Sequence, residues 1–313
     1  MFDVKLTLER TMVIDAPVSE VFKIVSDFNT WRTWSPWLCQ EPTCPVVVQL
    51  PPYEVGHAQH WTGTHIGSGN MHITNIVENK RIDYDLEFLK PWKSSSKTSF
   101  DFKQIEGQCH ITWAMDSSLP FFMFWMKNMM IALIGNDYIR GLTMLKELAE
   151  NKTVHSSIEI QENIKVPAMY YIGIEKQCDV KDIGQVMSED FDTLHGMIES
   201  KSIPQPSKVI AIYKKFDLAK GRCHFISALA FDEYIAFSDP KFTQGTIATH
   251  QAFAIKHTGD YKFVGNAWAT AMGMLRYKKI KQFKKIHPYE VYVNSPKDTE
   301  AKDLMTNICF PIK

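Results

Sequence analysis

The stretch Tyr289-Glu290-Val291-Tyr292-Val293-Asn294-Ser295-Pro296 closes an internal repeat that decides the fold of the second half of the chain. Residues 168–194 lie over residues 249–275 at an offset of about 81 positions. Ile172, Gly173 and Ile174 then fall on Phe253, Ala254 and Ile255. Ile183-Gly184 falls on Val264-Gly265, and Leu194 on Leu275. Further on, Ala211-Ile212-Tyr213 falls on Glu290-Val291-Tyr292. Each copy reads strand, helix, strand, strand. Duplicated units of this kind enclose a cleft at their interface, a natural seat for a small molecule. One copy carries Glu290 where the other carries Ala211, which predicts a single acidic group at the edge of an apolar, aromatic cavity.

On a strand, residues 288, 290, 292 and 294 share a face, so Glu290 and Tyr292 point the same way. A carboxylate partly desolvated beside aromatic rings can hold an organic cation by charge and by cation–π attraction. The competing reading is a surface glutamate bridged to lysine. Trp268 falls on a helix over residues 263–277, where Trp268, Ala271, Met272 and Leu275 repeat at helical spacing as a core face. From there the Trp ring can also reach a ligand. Tyr171 and Tyr213, from the first copy, are candidate aromatic walls, or else ordinary strand residues.

The first half opens with an alternating strand over residues 5–14. Asp15-Ala16-Pro17 ends it, and apolar positions 18, 21, 22, 25 and 28 follow at helical spacing. Asp15 or Ser19 is the expected cap of that helix. Gly67-Ser68-Gly69 reads as a hairpin turn between strands 60–65 and 70–77, which would set His65 opposite Asn70 and His72 opposite Gly63. Strands over 81–88, 96–104 and 108–116 precede a long helix over about 121–150. Trp31, Trp34 and Trp37 are expected to plug the mouth of this unit, with Trp92 as a loop anchor. His57, His60, His65 and His72 crowd together in one dimension, but the hairpin separates them, so no metal site is expected.

Two family resemblances attach to these motifs. Val13-Ile14-Asp15-Ala16-Pro17-Val18-Ser19-Glu20-Val21-Phe22, with Trp31-Arg32-Thr33-Trp34-Ser35-Pro36-Trp37 and the closing Gly141-Leu142-Thr143-Met144-Leu145-Lys146, resembles the START-like, polyketide-cyclase (SRPBCC) family over residues 1–150. That resemblance implies a helix-grip fold, a curved antiparallel sheet around a long helix, enclosing an apolar cavity. The ending from Glu290 to Thr299, with Leu304, Thr306 and residues 308–312, resembles the GyrI-like family, the effector-binding domain of multidrug-sensing regulators, over residues 155–313. His257-Thr258-Gly259-Asp260-Tyr261 is similar to a turn of the same family. The resemblance implies that Glu290 is the ligand-contacting acid. Residues 151–157 form the polar connector between the halves.

The expected class is therefore α+β, a helix-grip domain followed by two strand-helix-strand-strand repeats. At 45% hydrophobic and 22% charged residues with no net charge, the composition is that of a globular protein and gives no sign of a nucleic-acid partner. The basic run at 276–285 lacks any recognition-helix pattern. Six scattered cysteines without a Cys-x-x-Cys pair, and no basic stretch followed by an apolar run at the start, point to a reducing cytoplasm. The apolar segment 119–135 is interrupted by Lys127-Asn128 and is expected as a buried or lid-like element, not a membrane span. No cofactor motif is present. The reading is a protein that binds, senses or sequesters a hydrophobic aromatic compound, neutral or cationic. Two rivals stand beside it: a hydrolase of reactive toxins with Glu290 as general base, and a module that docks on a protein partner. The oligomeric state is open.

Overall fold

The computed structural model describes residues 3–313, the side chain of Asp3 excepted. The chain divides into two compact units between Val154 and His155, and each has its own sheet.

In the first unit, strand β1 (Asp3–Ile14) leads into helix α1 (Val18–Ser26) and the single turn α2 (Trp31–Trp34). Strands β2 (Val46–Gln49), β3 (Ala58–Thr62), β4 (Ser68–Val77), β5 (Arg81–Lys90), β6 (Ser94–Ile105) and β7 (Gln108–Pro120) follow. A 3-10 turn, Phe121–Met126, then runs into the long helix α3 (Lys127–Asn151). Among the described residues the strands form one antiparallel sheet in the order β1-β7-β6-β5-β4-β3-β2.

Rings fill the space between this sheet and α3. Phe28, Trp31, Trp34, Tyr84, Phe100, Trp113 and Tyr138 are each under 2% exposed. Trp113 lies flat on Tyr138 with centroids 3.9 Å apart, and Trp31 meets Trp34 at 4.5 Å. Their polar atoms are matched. The indole N–H of Trp113 donates to Thr98 Oγ1 at 2.9 Å, and both Trp31 Nε1 and Tyr84 Oη donate to the Val25 carbonyl at 2.9 Å. Gly141 lets α3 approach this stack, because a Cβ there would lie 2.9 Å from both Pro36 Cδ and Trp113 Cζ3. Trp31 and Trp34 are thus part of the interior itself, not a plug at its mouth.

Other local expectations are corrected. Neither Asp15 nor Ser19 caps α1; the Val18 N–H is taken by Gln104 Oε1 at 2.8 Å, from a strand distant in sequence. The hairpin turn falls earlier than Gly67-Ser68-Gly69, so His60 pairs with Asn70 and Ala58 with His72. The carboxylate of Glu41 takes the N–H groups of Thr64, His65 and Ile66 and fixes that turn. His57 is fully buried, accepting from the Phe28 N–H at Nε2. Of the segment expected to be buried or lid-like, the 3-10 turn at Phe121–Met126 contains no buried residue, whereas Gly135 in α3 is buried. Among the described residues no helix is long and apolar enough to cross a membrane.

The second unit begins with β8 (Ser156–Val166), then β9 (Met169–Asp179), α4 (Ile183–Glu199), β10 (Lys208–Asp217) and β11 (Arg222–Phe231). After β12 (Thr243–Ile247) the pattern returns as β13 (His250–Gly259), α5 (Val264–Tyr277), β14 (Tyr289–Tyr292) and β15 (Met305–Ile312). The antiparallel sheet runs β12-β9-β11-β10-β14-β15-β13-β8. The order is symmetric about the β10–β14 junction: β9, β11 and β10 on one side answer β13, β15 and β14 on the other. Ala211 and Glu290, matched by the repeat, are direct cross-strand partners at that junction. The two helices cover one face of the sheet, with separate clusters under α4 (Ile172, Leu194, Leu229) and α5 (Phe253, Ile255, Ala267, Ala271, Leu275). The opposite face buries Ile210, Ile212, Ala228, Ala252, Ala254 and Tyr289. The class is α+β in both units.

Candidate functional site

β14 is short but central. Tyr289 is buried in the face away from the helices, its ring edge-on to His250 and its hydroxyl 3.1 Å from His250 Nε2. That anchor turns the next residue, Glu290, to the helix-covered face. Glu290 is 4% exposed. Its cross-strand neighbours are Ala211 and Ile308, neither of which can pair with a charge.

The carboxylate is held by ring donors. Trp268, reaching down from α5, donates its indole N–H to Oε1 at 2.5 Å. Tyr292, two residues along β14, donates its hydroxyl to Oε2 at 2.7 Å. The Tyr213 hydroxyl, from β10, interacts with the same carboxylate. Burial raises the Glu290 carboxyl above its ordinary pKa, and the bonds from Trp268, Tyr292 and Tyr213 only partly offset that rise. Burial and the neighbouring carboxylate also push the Tyr213 and Tyr292 hydroxyls well up and that of Tyr261 to about 12, so all three stay protonated.

The surrounding wall is aromatic. The Tyr213 and Trp268 rings meet edge to face at 4.9 Å, and Trp268 meets Phe310 at 5.1 Å. Tyr292 lies between Tyr261 and Phe191, 5.5 Å from each, and its hydroxyl is 3.8 Å from Met187 Sδ. Met187 and Phe191 come from α4, Trp268 and Tyr261 from α5 and the turn before it. Both halves of the repeat therefore contribute to one site.

Of the residues singled out in the sequence, Glu290, Tyr292, Trp268 and Tyr213 are brought together. Tyr171 is not. It lies on β9 opposite Ala230, packed against the buried cluster on the other face of the sheet. Met272, expected on the buried stripe of α5, is 43% exposed. The stripe is Val264, Ala267, Ala271, Met274 and Leu275. Trp268 sits at its margin, which leaves its ring free to reach Glu290. Sequence reasoning missed Tyr261, Met187 and Phe191 as members of the wall. The last two carried a usable signal, apolar spacing of i, i+4 on α4.

A second polar group lies in the next row. Tyr292, Thr306 and His257 are consecutive partners across β14, β15 and β13. His257 and Thr306 are fully buried. Burial lowers the pKa of His257 to about 4, so it is neutral, and its Nε2 is 3.1 Å from Ser156 Oγ. Among the described residues no three His, Cys, Asp or Glu side chains converge as metal ligands.

A twofold βαββ domain with a buried acid among rings at its symmetry junction defines the class, a small-molecule-binding fold. Residues 162–313 match the family described as the GyrI-like small molecule binding domain, and residues 5–150 match the family described as polyketide cyclase / dehydrase and lipid transport. The chain thus joins a polyketide-cyclase-type domain to a GyrI-like domain. No curated protein matches it. Among solved structures it is similar to a Chromobacterium violaceum protein at 15% identity, over 46% of this chain and 96% of that one, with TM-score 0.36. The solution structure of the Aha1 dimer from Colwellia psychrerythraea is similar at 16% identity over 46% and 96%, with TM-score 0.35. A cryo-electron-microscopy structure of an EcmrR–DNA complex is similar at 14% identity over 59% and 65%, with TM-score 0.41.

Proposed function

We propose that the second domain binds a hydrophobic, cationic aromatic compound between α4 and α5, with Glu290 as the charge that selects it. The observation that supports this reading most directly is a 4%-exposed carboxylate bonded by neutral ring donors. A carboxylate desolvated without a cation is costly, and an entering cation supplies the missing partner. Trp268, Tyr213, Tyr292 and Tyr261 offer ring faces and edges for the apolar body of such a ligand. In the first domain, Trp31, Trp34, Trp113 and Tyr138 already occupy the interior, which favours the second domain as the seat of binding.

The test is fluorescence titration with matched cationic and neutral aromatic dyes, wild type beside Glu290→Gln. The expected result is saturable binding of cations and a loss of roughly tenfold or more in the variant, about 1.4 kcal/mol. Equal binding by the two proteins, or binding of neutral dyes alone, defeats the proposal. The raised pKa of Glu290 also suits a general base. Following the same titrations for product separates the readings: an unchanged ligand supports binding, and turnover lost in Glu290→Gln supports a hydrolase.

A further inference from the structure

Phe121, Phe122, Phe124 and Trp125 are 59–71% exposed on the 3-10 turn between β7 and α3. Large rings are normally core anchors, and an exposed apolar patch of this kind marks an interaction surface. The register of the first sheet brings a fifth ring to the same end. Phe88 pairs with Ser94 and Lys97 with Asp116, so the turn Lys90-Pro91-Trp92-Lys93 sits beside the end of β7. Trp92 is 70% exposed. Lysines rim these rings: Lys90 and Lys93 flank Trp92, Lys127 follows Trp125, and Lys5 stands opposite Ser118 on β1. Acids stand at this end too: Asp116, 3.9 Å from the Lys5 ammonium, Asp3 opposite Pro120 and Glu87 opposite Ser95, outnumbered by the lysines.

We propose that this end of the first domain is a docking surface for an anionic lipid bilayer. The rings enter the interfacial layer and the lysine ammonium groups meet the headgroups. Aromatic side chains ringed by cations on long apolar stems are the chemistry of an interfacial anchor. The charge is complementary to a negative leaflet, and lysines close to such a surface strengthen attachment. The area points the same way. Five rings of roughly 200 Å² each, about two-thirds exposed, present about 650 Å², short of the ~800 Å² per partner of a stable protein interface. Repelling lysines also disfavour a second copy of the same patch.

The experiment is flotation of the intact protein with phosphatidylcholine vesicles, with and without phosphatidylglycerol. Wild type is compared with the double variants Phe122→Ser/Trp125→Ser and Lys93→Glu/Lys127→Glu. All four positions lie outside the core, and unchanged thermal unfolding verifies the fold. The expected result is flotation with anionic vesicles only, with partitioning reduced roughly tenfold in each double variant. Absence of flotation, equal flotation with neutral vesicles, or variants that float like wild type overturns the proposal. A concentration-dependent dimer that Phe122→Ser/Trp125→Ser abolishes, without vesicle binding, overturns it in favour of a self-association surface.

Discussion

Glu290 pairs a raised pKa with hydrogen bonds from two aromatic side chains, Trp268 and Tyr292, and the two features have separate consequences. Folding favours its protonated form, so the native state holds a proton that the unfolded chain gives up in the ordinary carboxylate range. That contribution therefore turns against stability as pH rises from the ordinary range through the folded-state pKa. Glu290→Gln removes the charge while its amide oxygen can still accept from Trp268. Thermal or urea unfolding should show the variant matching wild type near pH 4 and exceeding it by about 1 kcal/mol at pH 8. A stability difference that does not change with pH would show that Glu290 is not desolvated in the folded protein. The same reasoning makes cation affinity rise with pH in wild type and stay flat in the variant. That Glu290 and Tyr292 share a face was legible, because strand period fixes it. That Tyr171 points to the other face was not: the repeat aligned the strands without fixing which of β9's two faces meets the helices.

At the scale of elements, the repeat was legible because copies of one unit keep their apolar spacing and helix starts. α4 begins at Ile183 and α5 at Val264, the pair already matched in sequence. The edge strands β8 and β12 lie outside the repeat and went unread; their pairing to β13 and β9 is decided by tertiary contact. One element-level difference between the copies is testable. Gly173 on β9 occupies the place of Ala254 on β13 in the repeat. A Cβ at Gly173 would lie 2.5 Å from the Ser227 carbonyl oxygen, which is backbone and cannot swing aside. Gly173→Ala should cost about 2 kcal/mol or more in urea unfolding, an overpacking penalty within a paired strand. Its mirror, Ala254→Gly, should cost about 1 kcal/mol, the ordinary strand entropy of glycine. Equal costs would mean that the two halves of the sheet have the same spacing and that the close approach at Gly173 is not a constraint.

At the scale of the molecule, the chain has two interiors of different character. The first is a stack of rings with its polar atoms satisfied internally; the second is split by a sheet and leaves an acid at the junction of a duplication. Sequence pattern divides the chain into two halves, since the passage from a long helix through a polar connector to a new period-2 run is local. It did not show that the first interior is filled, because burial of Trp31, Trp34 and Trp113 depends on strands and helices far apart in the chain. Each unit has its own sheet and its own buried clusters, so each should fold alone when cut between Val154 and His155. Residues 155–313 expressed by themselves should unfold cooperatively and bind a cationic dye within about threefold of the full chain, a difference of ~0.6 kcal/mol. The first half should unfold as its own two-state transition, read from its buried tryptophans. If the isolated second half folds but loses dye binding tenfold or more, the ligand site depends on the first domain, and the site built from Glu290, Trp268, Tyr213 and Tyr292 is incomplete without it.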